Sequence, residues 1–407
     1  MPLTESHKDL HRFGVWQYRP HLSGLSSLYL NTVFLTFCFS IMELFVPIYV
    51  YQITHDLSQT ILFFIIWEAS HLAASFPSAW FISHFGPDKS ILLGALLRTA
   101  YILTLMLSAQ FPWLLWPTAI LSGIKLPPHW LSYHLAFDRQ TTPQKVGSQV
   151  SFVYIITQIA AALSPLLGGI IASIWGFSSL YLVALIFLVA SILPIFLDQY
   201  DEHPAWPGFK KILVGRRKGG ITHFSWAFFG FGMEAAVYSW LWPLFLFLIL
   251  GNMKQIGLIQ TTSLILSILV AQVIKNKALP KTRRFVSLSS AANSFNWAIK
   301  PLLLTPLFLA LSDIAYLITN VFTRIPFDSS TYWLPKKNPL IFFTNREIAT
   351  HSGGLVILLA ALLLVRLNFS LAATLIGGII GLNLVLYWAN HSSSLDYQET
   401  RTNRHSI

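Results

Sequence analysis

Apolar runs of membrane-crossing length alternate with short polar connections along this chain. A crossing helix needs about 20 mostly apolar residues. Twelve spans are predicted, at 28–53, 59–83, 90–109, 112–137, 147–174, 178–197, 223–250, 255–274, 286–308, 311–334, 348–367 and 370–389. The polar residues inside the runs are few and patterned. The fourth run carries Lys125-Leu-Pro127-Pro-His129-Trp-Leu-Ser132-Tyr133-His134. The tenth carries, 199 residues later, Arg324-Ile-Pro326-Phe-Asp328-Ser-Ser-Thr331-Tyr332-Trp333. Each copy has a cation, a Pro two residues on, a polar residue four on, a hydroxyl seven on and a Tyr eight on. The cation and the residues four, seven and eight on share one helix face. A cation in hydrocarbon is costly, so each face should turn to a bundle interior or a water-filled cavity. Two matching faces predict two repeats around a central site, and the prolines should bend both helices.

Composition agrees with a polytopic membrane protein. The 407 residues are 54% hydrophobic and 11% charged, against about 25% charged in soluble proteins. The net charge of +11 sits in short loops between spans, so no nucleic-acid partner is expected. With the N-terminus inside, 21 Lys and Arg fall on the inner side and two, Lys254 and Arg366, on the outer. Positive loops stay cytoplasmic, which predicts cytoplasmic termini. The basic run from Lys275 to Arg284 suits lipid headgroups. Cys38 is the sole cysteine, so no internal disulfide forms. Residues 1–21 lack a signal-peptide pattern, so the first span should be retained. The longest connection divides the chain into an N-terminal six-helix half (1–197), a cytoplasmic linker (198–222), a C-terminal six-helix half (223–390) and a cytoplasmic tail (391–407). Pro47-Ile-Tyr-Val-Tyr and Pro243-Leu-Phe-Leu-Phe, 196 apart, repeat the same relation.

Between spans 2 and 3 lies Ala79-Trp-Phe-Ile-Ser83-His84-Phe85-Gly86-Pro87-Asp88-Lys89. Span 5 carries Ser164-Pro165-Leu-Leu-Gly168-Gly169. With twelve spans and half-to-half repetition, the chain resembles the major facilitator superfamily over nearly its whole length. The first stretch matches the family's G-x-x-x-D-x-x-G-R-[KR] at Gly86 and, nearby, Lys89. Ala79, Ser83 and Pro87 replace its first Gly, its Asp and its Arg. The second resembles the G-P-x-x-G-G of the family's antiporters. The resemblance implies an all-α fold of two pseudo-symmetric six-helix bundles. It further implies gating roles for Gly86, Lys89, Pro165, Gly168 and Gly169, and a tilt toward export.

Ionisable residues within spans are functional candidates by default. Low dielectric disfavours a bare carboxylate, so such a group can load and release a proton. Glu43, Glu68 and Glu234 are the proton-coupling candidates. Glu43 could equally be a static partner of Lys125, and the glycines beside Glu234 could serve only close packing. His71, one turn after Glu68, reads more readily as a packing residue than as a relay. Lys125, Arg324, Tyr133, Tyr332, His129, Asp328, Trp130 and Trp240 are the substrate-binding candidates. Arg324 and Asp328 can also pair within one helix. Lys300 is expected to snorkel outward. His134 and Asp138 alone do not make a metal site, and no nucleotide-binding loop exists. No metal, cofactor or enzymatic activity is expected.

The sequence predicts a secondary transporter for a small solute, proton-coupled, slightly favouring export. A uniporter or exchanger, or a non-transporting membrane enzyme or scaffold on the same fold, are the alternatives. Expected partners are a small-molecule substrate, protons and the lipid bilayer. A monomer in a bacterial inner membrane is the expected setting.

Overall fold

The computed structural model describes residues 24–142, 144–197, 203–215, 221–274, 282–302, 304–333, 336–392 and 395. The expectations for the N-terminal segment 1–21, for the basic stretches 216–218 and 275–281, and for most of the tail lie outside the described residues. Every regular element among the described residues is helical. In chain order these are α1 (Gly24–Met42), α2 (Val46–Thr54), α3 (Leu57–Phe85), α4 (Pro87–Leu107), α5 (Leu115–Ile124), α6 (Pro127–Gln140), α7 (Val146–Ala162), α8 (Ser164–Ile192) and α9 (Phe209–Gly215). They continue with α10 (Ile221–Ala236), α11 (Trp242–Leu250), α12 (Met253–Ile274), α13 (Thr282–Ile299), α14 (Pro306–Trp333), α15 (Pro339–Arg366), α16 (Leu371–Thr374) and α17 (Ile376–His391).

By length and composition, nine stretches of the described residues are long and apolar enough to cross a membrane. One of them, Val146–Ile195, is two rods, because Gly176 at φ 80° and ψ 172° breaks its helix. Two further rods, 112–140 and 282–302, fall outside that count and carry the buried lysines Lys125 and Lys300. The arrangement is compatible with twelve crossings. Local chemistry sets the ends. The Asp56 carboxylate accepts from the Ser58 and Gln59 amides at 2.6 and 3.3 Å and starts α3. Asn338 does the same for α15 through the Ile341 amide at 3.0 Å.

Two boundaries differ from the pattern-based reading. The ninth span is expected to reach 308, but its rod ends at Leu302 and Pro306 opens α14. A proline at the first helical position loses no hydrogen bond and has φ preset, so it starts a helix instead of interrupting one. The eleventh is expected from 348, but α15 begins at Pro339.

Prolines also break helices beside the interior. Pro47 has no N–H and crowds the carbonyl four residues back, that of Glu43. The chain responds with a 3₁₀ turn at Glu43–Phe45 between α1 and α2. Pro243 stands in the same relation to Ser239, inside a π turn at Val237–Leu241. The tandem Pro127-Pro128 separates α5 from α6 at Lys125. Pro326, alone, lies within the uninterrupted α14, so only the first copy of the repeat breaks its helix.

Helices before the linker pack chiefly among themselves (α1 on α7 and α8, α3 on α5, α4 on α6), as do those after it (α10 on α15 and α17, α13 on α14 and α17, α12 on α14). The groups meet where α3 and α6 pack on α15, and α7 and α8 on α12. Large apolar side chains such as Ile186, Val273 and Phe295 point outward, about two-thirds exposed at 67%, 68% and 68%. Lys125, Arg98, Glu234, Asn293 and many serines are buried. That order suits a hydrocarbon solvent, in which small and polar residues form the helix contacts.

Candidate functional site

A cavity of about 640 Å³ lies between the two groups of helices, a size typical of small-molecule sites. Of the sequence candidates, Glu43, Glu68, Trp130, Tyr133, Pro165, Trp240, Arg324, Asp328 and Tyr332 line it. Lys125, His129, Glu234, Gly86, Lys89, Gly168 and Gly169 are not among its lining residues.

Glu43 sits at the break between α1 and α2, and its carboxylate accepts from Lys125 Nζ at 2.9 Å. Lys125 is fully buried behind it. Its ammonium lies 3.3 Å from the Tyr101 ring centroid and 4.8 Å from that of Trp67. A desolvated ammonium is stabilised by aromatic faces as well as by its carboxylate. Arg98 joins the same cluster, 5.0 Å from the Phe39 ring that Lys125 also faces at 5.5 Å. One carboxylate therefore meets the cavity with two buried cations behind it.

Across the cavity the charge ratio is the same, but both cations line the wall together with the carboxylate. Asp328 lies 3.8 Å from Arg324 Nε, one turn away, and 3.5 Å from Arg346 Nη2. Arg324 also lies over Phe231 at 4.2 Å. Tyr332 bonds to Nδ1 of His134. Glu68 pairs with Nδ1 of His351 at 2.5 Å. The Trp240 indole stacks on Phe64 at 4.6 Å and packs on Trp67 at 4.3 Å. The cavity thus joins an aromatic wall to a paired-arginine wall.

The remaining candidates sit elsewhere. Glu234 is buried, bonded to the Tyr316 hydroxyl. His129 is fully buried, and neither ring nitrogen has a hydrogen-bond partner among the described residues. A Cβ on Gly168 would come 2.2 Å from the Ile41 carbonyl oxygen, and one on Gly169 2.6 Å from that of Met253. These glycines bring α8 against α1 and α12. Gly86 turns the chain between α3 and α4 at φ 88°, with Lys89 exposed beside it. Lys300 does not snorkel. It is fully buried, 3.9 Å from Asp313 and 3.9 Å from the Trp242 ring centroid. A charge that finds an aromatic cage and a counter-ion inside has no need to reach the surface.

Three residues of this region were not singled out by pattern: Arg346, Glu347 and His351. They belong to Asn345-Arg-Glu-Ile-Ala-Thr-His351 on α15, a run too polar for a hydropathy window. The i, i+4 spacing of Glu347 and His351 was the available signal.

The model of the Major Facilitator Superfamily matches residues 28–402. The chain belongs to the major facilitator superfamily. As a transporter of this superfamily, it shares the fold of several solved structures. The human organic anion transporter MFSD10 (TETRAN) is 12% identical with a TM-score of 0.67, covering 92% of this chain and 99% of that one. The Escherichia coli fucose:proton symporter FucP is 11% identical with a TM-score of 0.66, covering 92% and 99%. A bacterial homologue of the iron transporter ferroportin, in its outward-facing state, is 14% identical with a TM-score of 0.68, covering 93% and 100%. At such identities the likeness is one of fold. No curated protein sequence matches the chain.

Proposed function

We propose that this superfamily member is a proton-coupled secondary carrier that moves a small amphipathic solute by alternating access, with Glu43 as proton acceptor. The observation that carries the reading is the Glu43–Lys125 pair at 2.9 Å, with Glu43 on the cavity wall and Lys125 sealed behind it. A proton arriving from the cavity would neutralise Glu43 and release Lys125, so protonation and the arrangement of α1 and α6 are linked. Arg324 and Arg346, sharing one carboxylate, suit an anionic or zwitterionic group on the solute. The Trp240 wall suits its apolar body. An open cavity supports transport over a scaffold role, for which a filled bundle would be expected. The Pro165–Gly169 motif tilts the direction to export. We assign both termini to the cytoplasm on the charge bias, and the setting to a bacterial inner membrane, as a monomer.

A second reading has its own support. Glu43, Glu68 and Asp328, all on the cavity wall, already have partners, which favours an electroneutral exchanger without proton movement.

The test is proton flux in proteoliposomes under an imposed pH gradient, across lipophilic cations, organic anions and sugars. Coupled transport predicts a compound-dependent proton signal that Glu43→Gln abolishes. Unchanged pH-driven flux in that variant removes the coupling role. Labelled counterflow without proton movement selects the exchanger.

A further inference from the structure

Three imidazoles converge on one carboxylate beside the cavity. Glu347 lies 3.1 Å from Nε2 of His71, 3.8 Å from Nε2 of His351 and 3.7 Å from Nε2 of His134. His71 comes from α3, His134 from α6, and Glu347 and His351 from successive turns of α15. The donor atoms of His71, Glu347 and His351 all lie within 4.8 Å of one another. His71 is fully buried, and the side chains of His134 and Glu347 are 7% and 8% exposed. His351 and His134 line the cavity, so the cluster is reachable from it.

Hydrogen bonding alone leaves this cluster incomplete. Glu68 stands 2.5 Å from Nδ1 of His351. An ionised carboxylate only accepts, so that nitrogen carries the ring proton. In a neutral His351, Nε2 is then a lone pair 3.8 Å from a second carboxylate, Glu347, and a cation between the two would satisfy both. Protonating both rings at once is unfavourable. The His71 and His351 rings stack with centroids 3.3 Å apart and a 21° tilt, and two imidazoliums so placed would repel. Neutral imidazole is also the form that ligates a metal.

We propose that His71, His351 and Glu347, with His134 as a fourth donor, form a binding site for a zinc-class divalent transition ion that ties α3 and α6 to α15. Tetrahedral zinc holds N and O donors at about 2.0–2.1 Å, which sets neighbouring donors roughly 3.3 Å apart. The separations of 3.1, 3.7 and 3.8 Å bracket that value. The far nitrogen of His351 is held by a carboxylate, and that of His134 by the Tyr332 hydroxyl. Such contacts orient ligating imidazoles. Glu68 and Glu347 together carry two negative charges, matching a divalent ion in a low-dielectric site. The imidazole-rich set selects zinc, cobalt or nickel over magnesium or calcium, which take oxygen donors. Because its donors stand on both sides of a helix contact, the ion would favour the arrangement in which they are apposed. The assignment rests on geometry and is independent of what the transporter carries.

The experiment uses the purified full-length protein and Co²⁺ as a spectroscopic probe. One Co²⁺ per chain is expected, with the visible absorption of a tetrahedral nitrogen–oxygen site, displaced by Zn²⁺. Zn²⁺ should also raise the thermal unfolding midpoint. His71→Gln and His351→Gln should each weaken binding at least tenfold, and Glu68→Gln by about 10–100-fold. Both histidine variants keep their volume, and gel filtration selects those that remain monodisperse. Absence of the tetrahedral spectrum in the wild type would overturn the site. So would equal binding by wild type and a folded His351→Gln variant, since the metal would then sit on exposed histidines such as His84 or His391.

Discussion

Lys125 shows how a single charge can be both a liability and a fixture. A lysine at mid-bilayer costs about 2.5–3.5 kcal/mol on insertion scales. Here Glu43 at 2.9 Å and the ring of Tyr101 at 3.3 Å offset that cost. Removing one partner of a buried pair leaves the other charge uncompensated, at about 3–5 kcal/mol, whereas removing both is far milder. Lys125→Met should therefore lower the thermal unfolding midpoint of the purified protein clearly. Adding Glu43→Gln should restore most of the loss. Equal or additive losses in the double variant would show that the pair is not coupled. At this scale the sequence was partly legible. Lys125 and Arg324 announced themselves as cations within apolar runs, and Glu43 as a carboxylate one turn before a proline. Whether a side chain faces the cavity or lies behind its wall was not legible, because a helix face does not say which neighbour covers it. Arg346, Glu347 and His351 escaped for a related reason: a polar segment reads as a loop unless something known to be buried surrounds it.

Among the elements, glycines decide how near helices can come. A Cβ on Gly257 of α12 would lie 2.3 Å from the Pro165 carbonyl oxygen of α8. Overpacking a close contact costs about 1–3 kcal/mol, enough to move a two-state population about tenfold. Gly257→Val should hold α8 and α12 apart and open the cavity along that seam. Ala161→Cys, on the cavity wall, reports this through its labelling rate with a water-soluble maleimide, since Cys38 is fully buried and silent. Faster labelling is expected. An unchanged rate, with the protein folded, would mean that the seam does not gate the cavity. Prolines teach a similar lesson. The sequence expects Pro127 and Pro326 to bend their helices alike, yet one stands at a helix break and the other rides inside a helix, while Pro306 begins one. The tandem Pro128 and the position within the turn make the difference, not the residue type.

For the whole molecule, the helices before and after the linker are held at two ends by different chemistry. At one end α8 and α12 meet through glycines. At the other, Lys336 Nζ lies 2.6 Å from the Asp138 carboxylate, near the bond between His134 and Tyr332. If alternating access requires that end to part, joining it covalently should stop transport. A Lys336→Cys/Asp138→Cys variant bridged by a cleavable dithiol linker is expected to lose flux in proteoliposomes and to regain it on reduction. Undiminished flux in the bridged protein would exclude opening at that end.

The sequence by itself determined the helical membrane class, the approximate limits of most spans and the superfamily. Those are local or additive properties: a run of apolar side chains is long enough or it is not, whatever surrounds it. Only the tertiary structure decided that Lys125 lies behind Glu43, that Lys300 stays inside an aromatic cage, and that Glu347 gathers three imidazoles from α3, α6 and α15. Those outcomes depend on partners up to 276 residues away, as for His71 and Glu347. In a low-dielectric interior the cost of an unpaired polar group selects such partners in space, and nothing in the spacing along the chain records the choice.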